Sequence, residues 1–448
     1  MHVLFLFLVL LPLSSKAQES WPGYKIIRQD EDFSYLRDPS KRSDYLDGIK
    51  FIPINKDKTS YLTLGGEIRE RYEYFSNFLW GEPLNEGDGY VLSRVMLHGD
   101  LRLNEKFRFF TQFKSNLVFD KKLPPRSIDK DELDLHQLFV DGDFDRLHLR
   151  VGRQEISYGS SRLISVREGP NVRQSFDAVK LKYQDQNLNL DGLYSHPVET
   201  NPEEFDDKSG TDRTLFGLYA TFTNIKADLY YLGYDRQEGE FASGTEHEMR
   251  HSVGSRWFNK GKSWDYDYEA VYQFGQFGNK SIKAWTVSTN TGYTFNHPWK
   301  PRLELKASVA SGDDNPNDDT LGTFNALFPK GSFFNEAAIL GPANFMDIHP
   351  GFSIEPSDTL TFKVDWDFLW RQSLEDGLYN VPLNPIVPGD AGDSRYIGSQ
   401  LALSGEYEFG KHWLLFAQYM HFFVGSFLEE ATPGKDIDYF TTWVTYKF

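Results

Sequence analysis

Cysteine is absent from the 448 residues, so the chain has no disulfide, thiolate metal site, catalytic thiol or lipid-bearing N-terminal cysteine. No run of eighteen apolar residues follows the first fifteen, which excludes helical membrane spans. Positive charge is in short supply: 48 Lys and Arg stand against 65 Asp and Glu, for a net charge of −17. That balance argues against nucleic acid as a partner, because phosphate contacts need clustered bases. It does not set the charge of an internal pore, since loops and lumen contribute separately. The eleven His form no pair at metal-ligand spacing, and neither a GxSxG element nor a phosphate loop occurs. Nothing in the sequence calls for a cofactor.

Aromatic residues are plentiful: 37 Phe, 24 Tyr and 10 Trp make 16% of a polar chain. A barrel wall in a membrane reconciles the two, with apolar side chains facing lipid and alternate ones facing water. Met1–Leu13 is an apolar stretch too short to span a bilayer, and Ser15-Lys16-Ala17 offers a small-residue cleavage site. Residues 1–17 are thus expected to be a signal peptide. Residues 18–59 are polar and irregular, expected as a periplasmic extension or a segment tucked into a barrel mouth. From residue 60 to 448 the chain alternates in segments of ten to fifteen residues, the length of a tilted membrane strand.

Eighteen such segments, from Tyr61–Tyr74 to Tyr439–Phe448, predict an all-β fold: a transmembrane antiparallel barrel. Short turns such as 104–106 and 184–187 alternate with long loops such as 155–174, 235–247, 311–342 and 372–395. The expected asymmetry puts the turns in the periplasm and the loops outside the cell, in a bacterial outer membrane. The last strand places Phe440, Thr442, Val444, Tyr446 and Phe448 on one face. It resembles the signal read by the outer-membrane assembly machinery, an expected partner alongside outer-membrane lipid.

The period-two pattern assigns faces. Val91, Val95, Leu97 and Leu101 point to lipid while Arg94, His98, Asp100 and Arg102 point inward. Phe362, Val364, Trp366 and Phe368 face lipid; Lys363, Asp365 and Asp367 face the lumen. Glu70 falls on the apolar face of the first strand, which calls for a rim position or a bulge at Gly65-Gly66. Strands one to six turn ten bases inward: Arg69, Arg71, Arg94, Arg102, Arg108, Lys114, Arg146, Arg150, Lys180 and Lys182. Only Glu67, Glu73 and Asp100 oppose them. Later strands pair seven bases with ten acids. A basic half-wall draws an anion, and guanidinium holds carboxylates in a fork. The alternative is that these bases pair with acids and fill the barrel.

The connection between strands five and six carries Arg153, Gln154, Arg162, Arg167, Arg173 and Asp177, with bend points at Gly159, Gly169 and Pro170. Leu163, Ile164 and Val166 would be poorly placed in open water, which favours folding this loop inward as a constriction. The alternative is an external loop with paired arginines. Asp313, Asp314, Asp318 and Asp319 offer oxygen ligands to Ca²⁺ without the spacing of a defined calcium loop, so a solvated loop competes. Asp265/Asp267 and Asp365/Asp367 are carboxylate pairs that suit either hydrolysis or lumen ion pairing.

Three stretches resemble the alginate export family of outer-membrane porins: Tyr61-Leu62-Thr63-Leu64-Gly65-Gly66-Glu67-Ile68-Arg69-Glu70-Arg71, Val151-Gly152-Arg153-Gln154-Glu155-Ile156 continuing to Phe176-Asp177-Ala178-Val179, and Ala310-Ser311-Gly312-Asp313-Asp314 through Pro329. The resemblance implies an eighteen-stranded barrel with an electropositive constriction that passes an anionic polysaccharide such as alginate. The expected function is an outer-membrane porin or exporter for an anionic polysaccharide or related anionic solute, and not an enzyme. The rivals are a general diffusion porin of mixed selectivity and, from another class, a barrel-type outer-membrane enzyme.

Overall fold

The alternating segments close into one cylinder. The structure is a computed structural model that describes residues 22–82 and 87–448. The expected signal peptide, 1–17, lies outside the described residues. The wall strands are β1 Tyr61–Phe75, β2 Asp88–Leu103, β3 Phe107–Phe119, β4 Asp131–Phe144, β5 Leu147–Gln154 and β6 Phe176–Gln184. They continue as β7 Leu188–Glu199, β8 Arg213–Phe222, β9 Ala227–Phe241, β10 Gly244–Lys260, β11 Trp264–Phe277 and β12 Lys280–Thr294. The last six are β13 Arg302–Ala310, β14 Phe345–Ser357, β15 Leu360–Trp370, β16 Tyr396–Phe409, β17 Trp413–Val424 and β18 Ile437–Lys447. Each pairs antiparallel with its neighbours in chain order, and β1 also pairs with β18. Closure leaves no sheet edge, which a lipid-facing backbone requires because hydrocarbon offers no hydrogen bonds.

The assigned faces hold. Leu97, Phe113, Val179, Leu229 and Trp366 stand exposed on the outer surface, while Arg94 and Asp367 are fully buried inside. Substitution of Leu97 by Arg is expected to cost about 2–4 kcal/mol, the price of a charge at mid-depth. Reversible denaturant unfolding from liposomes measures it; an unchanged midpoint would contradict the lipid-facing placement.

A bulge does not account for Glu70. The β1–β2 register runs unbroken from Tyr61↔Arg102 to Phe75↔Asp88, so no bulge shifts the phase at Gly65-Gly66. Glu70 points outward within the strand and accepts a 2.7 Å hydrogen bond from Ser93 Oγ. The two glycines serve another end. A Cβ on Gly65 would lie 2.6 Å from the His98 ring, and one on Gly66 would lie 2.7 Å from the Phe448 ring. Their bare backbone lets one side chain close in from the lumen and another across the seam.

Loop length mostly follows the expected alternation, with one correction. The stretch 235–247 is not a long loop, because β9 and β10 extend as a hairpin and only residues 242 and 243 separate them. Their pairing continues past an irregularity between Arg236 and Gly239. The long loops 155–175, 311–344 and 371–395 turn into the barrel and build a core there. Ile164, Phe324, Phe328, Leu378 and Tyr379 are buried against Phe176, Leu215, Phe277 and Ile282 of the wall. The loops thus lay an apolar layer inside the barrel toward the loop end.

The N-terminal segment occupies the opposite, short-turn mouth. Arg28 is buried and donates to Gly66 O at 2.7 Å and Phe448 O at 2.9 Å. Gly66 and Phe448 also exchange backbone hydrogen bonds there, so Arg28 sits on the seam where β1 meets the chain's last residue. Phe33, Leu36 and Phe51 pack with Tyr61 below it. Residues 28–51 of this segment therefore pack against the barrel at the seam.

Candidate functional site

The loop after β5 folds into the lumen. Its backbone pairs with the β13–β14 loop: Phe328 N donates to Leu163 O at 2.8 Å and Ser165 N to Phe328 O at 2.9 Å. Leu163, Ile164 and Val166 are buried by that contact. The loop tip, Glu168-Gly169-Pro170, then presses on the basic wall. Arg69 donates to the Glu168, Gly169 and Pro170 carbonyls at 3.0–3.1 Å. Arg71 reaches Gly169 O at 2.6 Å and Glu73 at 2.7 Å. The Glu168 carboxylate meets Arg94 at 2.5 Å, Arg173 at 2.6 Å and Arg69 at 3.8 Å. Burial alone would raise the Glu168 pKa, but Arg173 and Arg94 outweigh it and hold it below the usual carboxylate range.

Behind this cluster, Arg173 also pairs with Glu155 at 2.7 Å, and His136 touches the same carboxylate at 2.9 Å. Burial pushes Glu155 up to about 7 despite Arg173. The inward bases are thus heavily compensated. Arg94 also binds Glu67 at 2.6 Å, and Arg108 and Arg150 bind Asp100 and Asp141, each at 2.6 Å. Arg102 binds Asp100 at 3.2 Å, Lys114 binds Asp131 and Asp207 at 2.5 and 2.7 Å, and Lys180 binds Asp191 at 2.7 Å. Ion pairing, the alternative to a free basic wall, governs eight of the ten bases.

Some predicted residues lie elsewhere. Arg146 is exposed in the turn between β4 and β5, because β5 begins only at Leu147. Arg153 and Asp177 share the outward face with Val151 and Val179 and form a two-pronged pair at 2.9 and 3.2 Å. They brace the wall and do not line the constriction. Gln154 is buried, donating to Ala178 O at 3.3 Å. Arg162 reaches Glu269 at 3.4 Å across the lumen, and Arg167 lies 5.9 Å from the Phe328 ring. The acidic loop does not assemble: Asp313 is buried while Asp314, Asp318 and Asp319 are exposed, and Asp318 accepts from Thr320 N at 2.7 Å.

Lys182 and Lys180 border a cavity of about 480 Å³ at the short-turn mouth, shared with Arg102, Arg108, Arg150 and Asp141. A second cavity of about 120 Å³ lies against the opposite wall, lined by Arg162, Lys306, Lys330, Asp347 and His349. Sequence reasoning missed Lys330, which only the inward fold of the β13–β14 loop brings here. Burial, with help from Arg162, pushes its pKa down to about 8. The cation is present below that pH and lost above it. Anion preference should therefore fall as pH rises through about 8, and Lys330→Met should remove the step. Reversal potentials across a salt gradient at stepped pH test this; a step that survives in Lys330→Met assigns it to another group.

The alginate export family model matches residues 60–441, the whole barrel from its first strand into its last. The chain belongs to the alginate export family. Solved structures agree on the fold. OccK8 (OprE) of Pseudomonas aeruginosa aligns with a TM-score of 0.60 at 11% identity, covering 86% of this chain and 98% of that one. OpdQ of the same organism gives 0.60 at 12% identity, covering 89% and 99%. OccK2 (OpdF), solved in complex with glucuronate, gives 0.54 at 11% identity, covering 86% and 98%. No curated protein matches the chain. Family and fold together make this alginate-export barrel an outer-membrane channel protein of bacteria.

Proposed function

We propose that this family member passes a carboxylate-bearing sugar or polysaccharide, a uronate-like anion, and that it transports and does not catalyse. One observation carries the reading: three guanidinium groups, from Arg69, Arg94 and Arg173, converge on the Glu168 carboxylate in the lumen. This is a receptor for a carboxylate, filled by the chain's own side chain. Planar forks of this kind recognise carboxylates by geometry as well as charge. The glucuronate bound by OccK2 is a solute of the same chemistry in a barrel of the same fold. The outward face takes outer-membrane lipid, and the strand ending in Phe448 is the handle for the assembly machinery.

Planar-bilayer recording with glucuronate and oligouronates against neutral sugars tests this. Uronates should carry current or block reversibly, and neutralising Arg69, Arg94 and Arg173 together should abolish the discrimination. Equal behaviour of charged and neutral sugars would instead establish a general diffusion porin. That second reading is favoured by the acids Asp265, Asp267 and Glu304, which pair with Arg302, Arg256 and Lys306 on the far wall.

A further inference from the structure

Outside the arginine cluster, β14 and β15 bring Asp347, His349 and Asp367 together on the lumen side. One ligand atom from each lies within 4.8 Å of the others. All three side chains are buried, at 5%, 2% and 0% exposure. Oδ1 of Asp347 and Oδ1 of Asp367 have no hydrogen-bond partner among the described residues, although both are buried. Of the neighbouring cations, Lys306 pairs with Glu304 at 3.2 Å, Lys363 with Glu304 at 3.5 Å and Asp365 at 3.4 Å, and Arg162 with Glu269 at 3.4 Å, while Lys330 lines the adjoining cavity. Two buried carboxylates side by side need either a shared proton or a positive charge between them.

The imidazole decides between these. His349 Nε2 lies 2.5 Å from Asp365 Oδ1. An ionised carboxylate only accepts, so in the neutral imidazole Nε2 carries the proton and Nδ1 keeps its lone pair. Nδ1 faces Asp367 Oδ2 at 3.8 Å, too far for a hydrogen bond. The imidazole nitrogen and one carboxylate oxygen from each aspartate therefore converge, and each aspartate also has a second reason to seek a cation in its buried, unpartnered Oδ1. Asp365 orients the histidine, and Gln400 donates to Asp367 Oδ2 at 2.9 Å, as outer partners do around metal ligands. One imidazole with carboxylates suits a first-row divalent ion of the zinc type better than Ca²⁺ or Mg²⁺, which take oxygen alone. We propose that Asp347, His349 and Asp367 bind a divalent transition-metal ion in the lumen wall. Asp347 and His349 also line the cavity of about 120 Å³ with Arg162 and Lys330, so a further ligand has access.

The test is Zn²⁺ titration of the full chain, folded in detergent and stripped with chelator. One equivalent should bind at micromolar affinity or tighter. His349→Gln and the pair Asp347→Asn/Asp367→Asn should each weaken binding about tenfold or more. Heat-modified migration on gels confirms that each variant is folded. Should a variant not fold, X-ray absorption at the zinc edge of the unaltered protein decides, because this site supplies one imidazole and carboxylate oxygens. No retained zinc, binding unchanged in the variants, or two or more imidazoles around the ion would overturn the proposal; the first outcome would assign the pair a shared proton.

Discussion

Replacing Glu168 by Gln should open the channel. The carboxylate of Glu168 is gripped by Arg94 and Arg173 and is the charged part of the contact that holds the loop across the lumen. Removing one partner of a fully buried pair costs about 3–5 kcal/mol. Glu168 is 35% exposed, so screening reduces that to roughly 1–3 kcal/mol. A shift of that size moves an open-to-closed ratio by about 5- to 150-fold. The amide keeps the shape, and the carbonyls of Glu168, Gly169 and Pro170 still accept from Arg69 and Arg71. The variant should therefore fold, conduct more often, and favour anions more strongly, because Arg94 and Arg173 lose a counterion. Single-channel recording gives both numbers. A folded variant with the open fraction and reversal potential of the unaltered protein would show that Glu168 does not govern the passage.

Arg28→Ala should release the N-terminal segment from the barrel mouth. Arg28 is 3% exposed, bonds two carbonyls at the β1–β18 seam, and pairs with Glu31 at 2.8 Å. Glu31 is itself 5% exposed. The substitution strands a buried carboxylate and removes two hydrogen bonds, so a loss of about 3–5 kcal/mol in docking is expected. Lysine should rescue little, because a point charge cannot serve both carbonyls and the carboxylate in one plane. Arg37→Ala is the contrast. Arg37 is 39% exposed beside Glu105, and such a pair contributes about 0–1 kcal/mol. Protease sensitivity of the segment and the temperature of heat-modified gel migration report the difference. Equal behaviour of the two variants would mean that the seam closes without this clasp.

The barrel was readable because lipid and water impose a strict two-residue rhythm. The opening segment, expected at Tyr61–Tyr74, is β1 Tyr61–Phe75, and the closing one, expected at Tyr439–Phe448, is β18 Ile437–Lys447. The inward fold of the loop after β5 was also readable, from Leu163, Ile164 and Val166 in a stretch otherwise rich in Arg and Gly. Arg153 and Asp177 belong to β5 and β6 and not to the inward loop, and the two-residue rhythm turns them outward with Val151 and Val179. A directly opposed pair neutralises itself and is tolerated on that face. The hairpin of β9 and β10 was missed because Gln237, Glu238, Glu240, Glu246 and His247 are exposed polar residues that look like a loop.

The sequence alone determined the wall: how many strands, which face meets lipid, which end carries the loops. Those follow from local periodicity, and each strand declares its own. Whether Arg69, Arg94 and Arg173 stand free or hold Glu168, and whether Asp347, His349 and Asp367 meet, depended on pairings between residues far apart in the chain or on separate strands. Charge compensation and donor convergence are properties of distances in space, and only closing the cylinder and folding its loops inward set those distances.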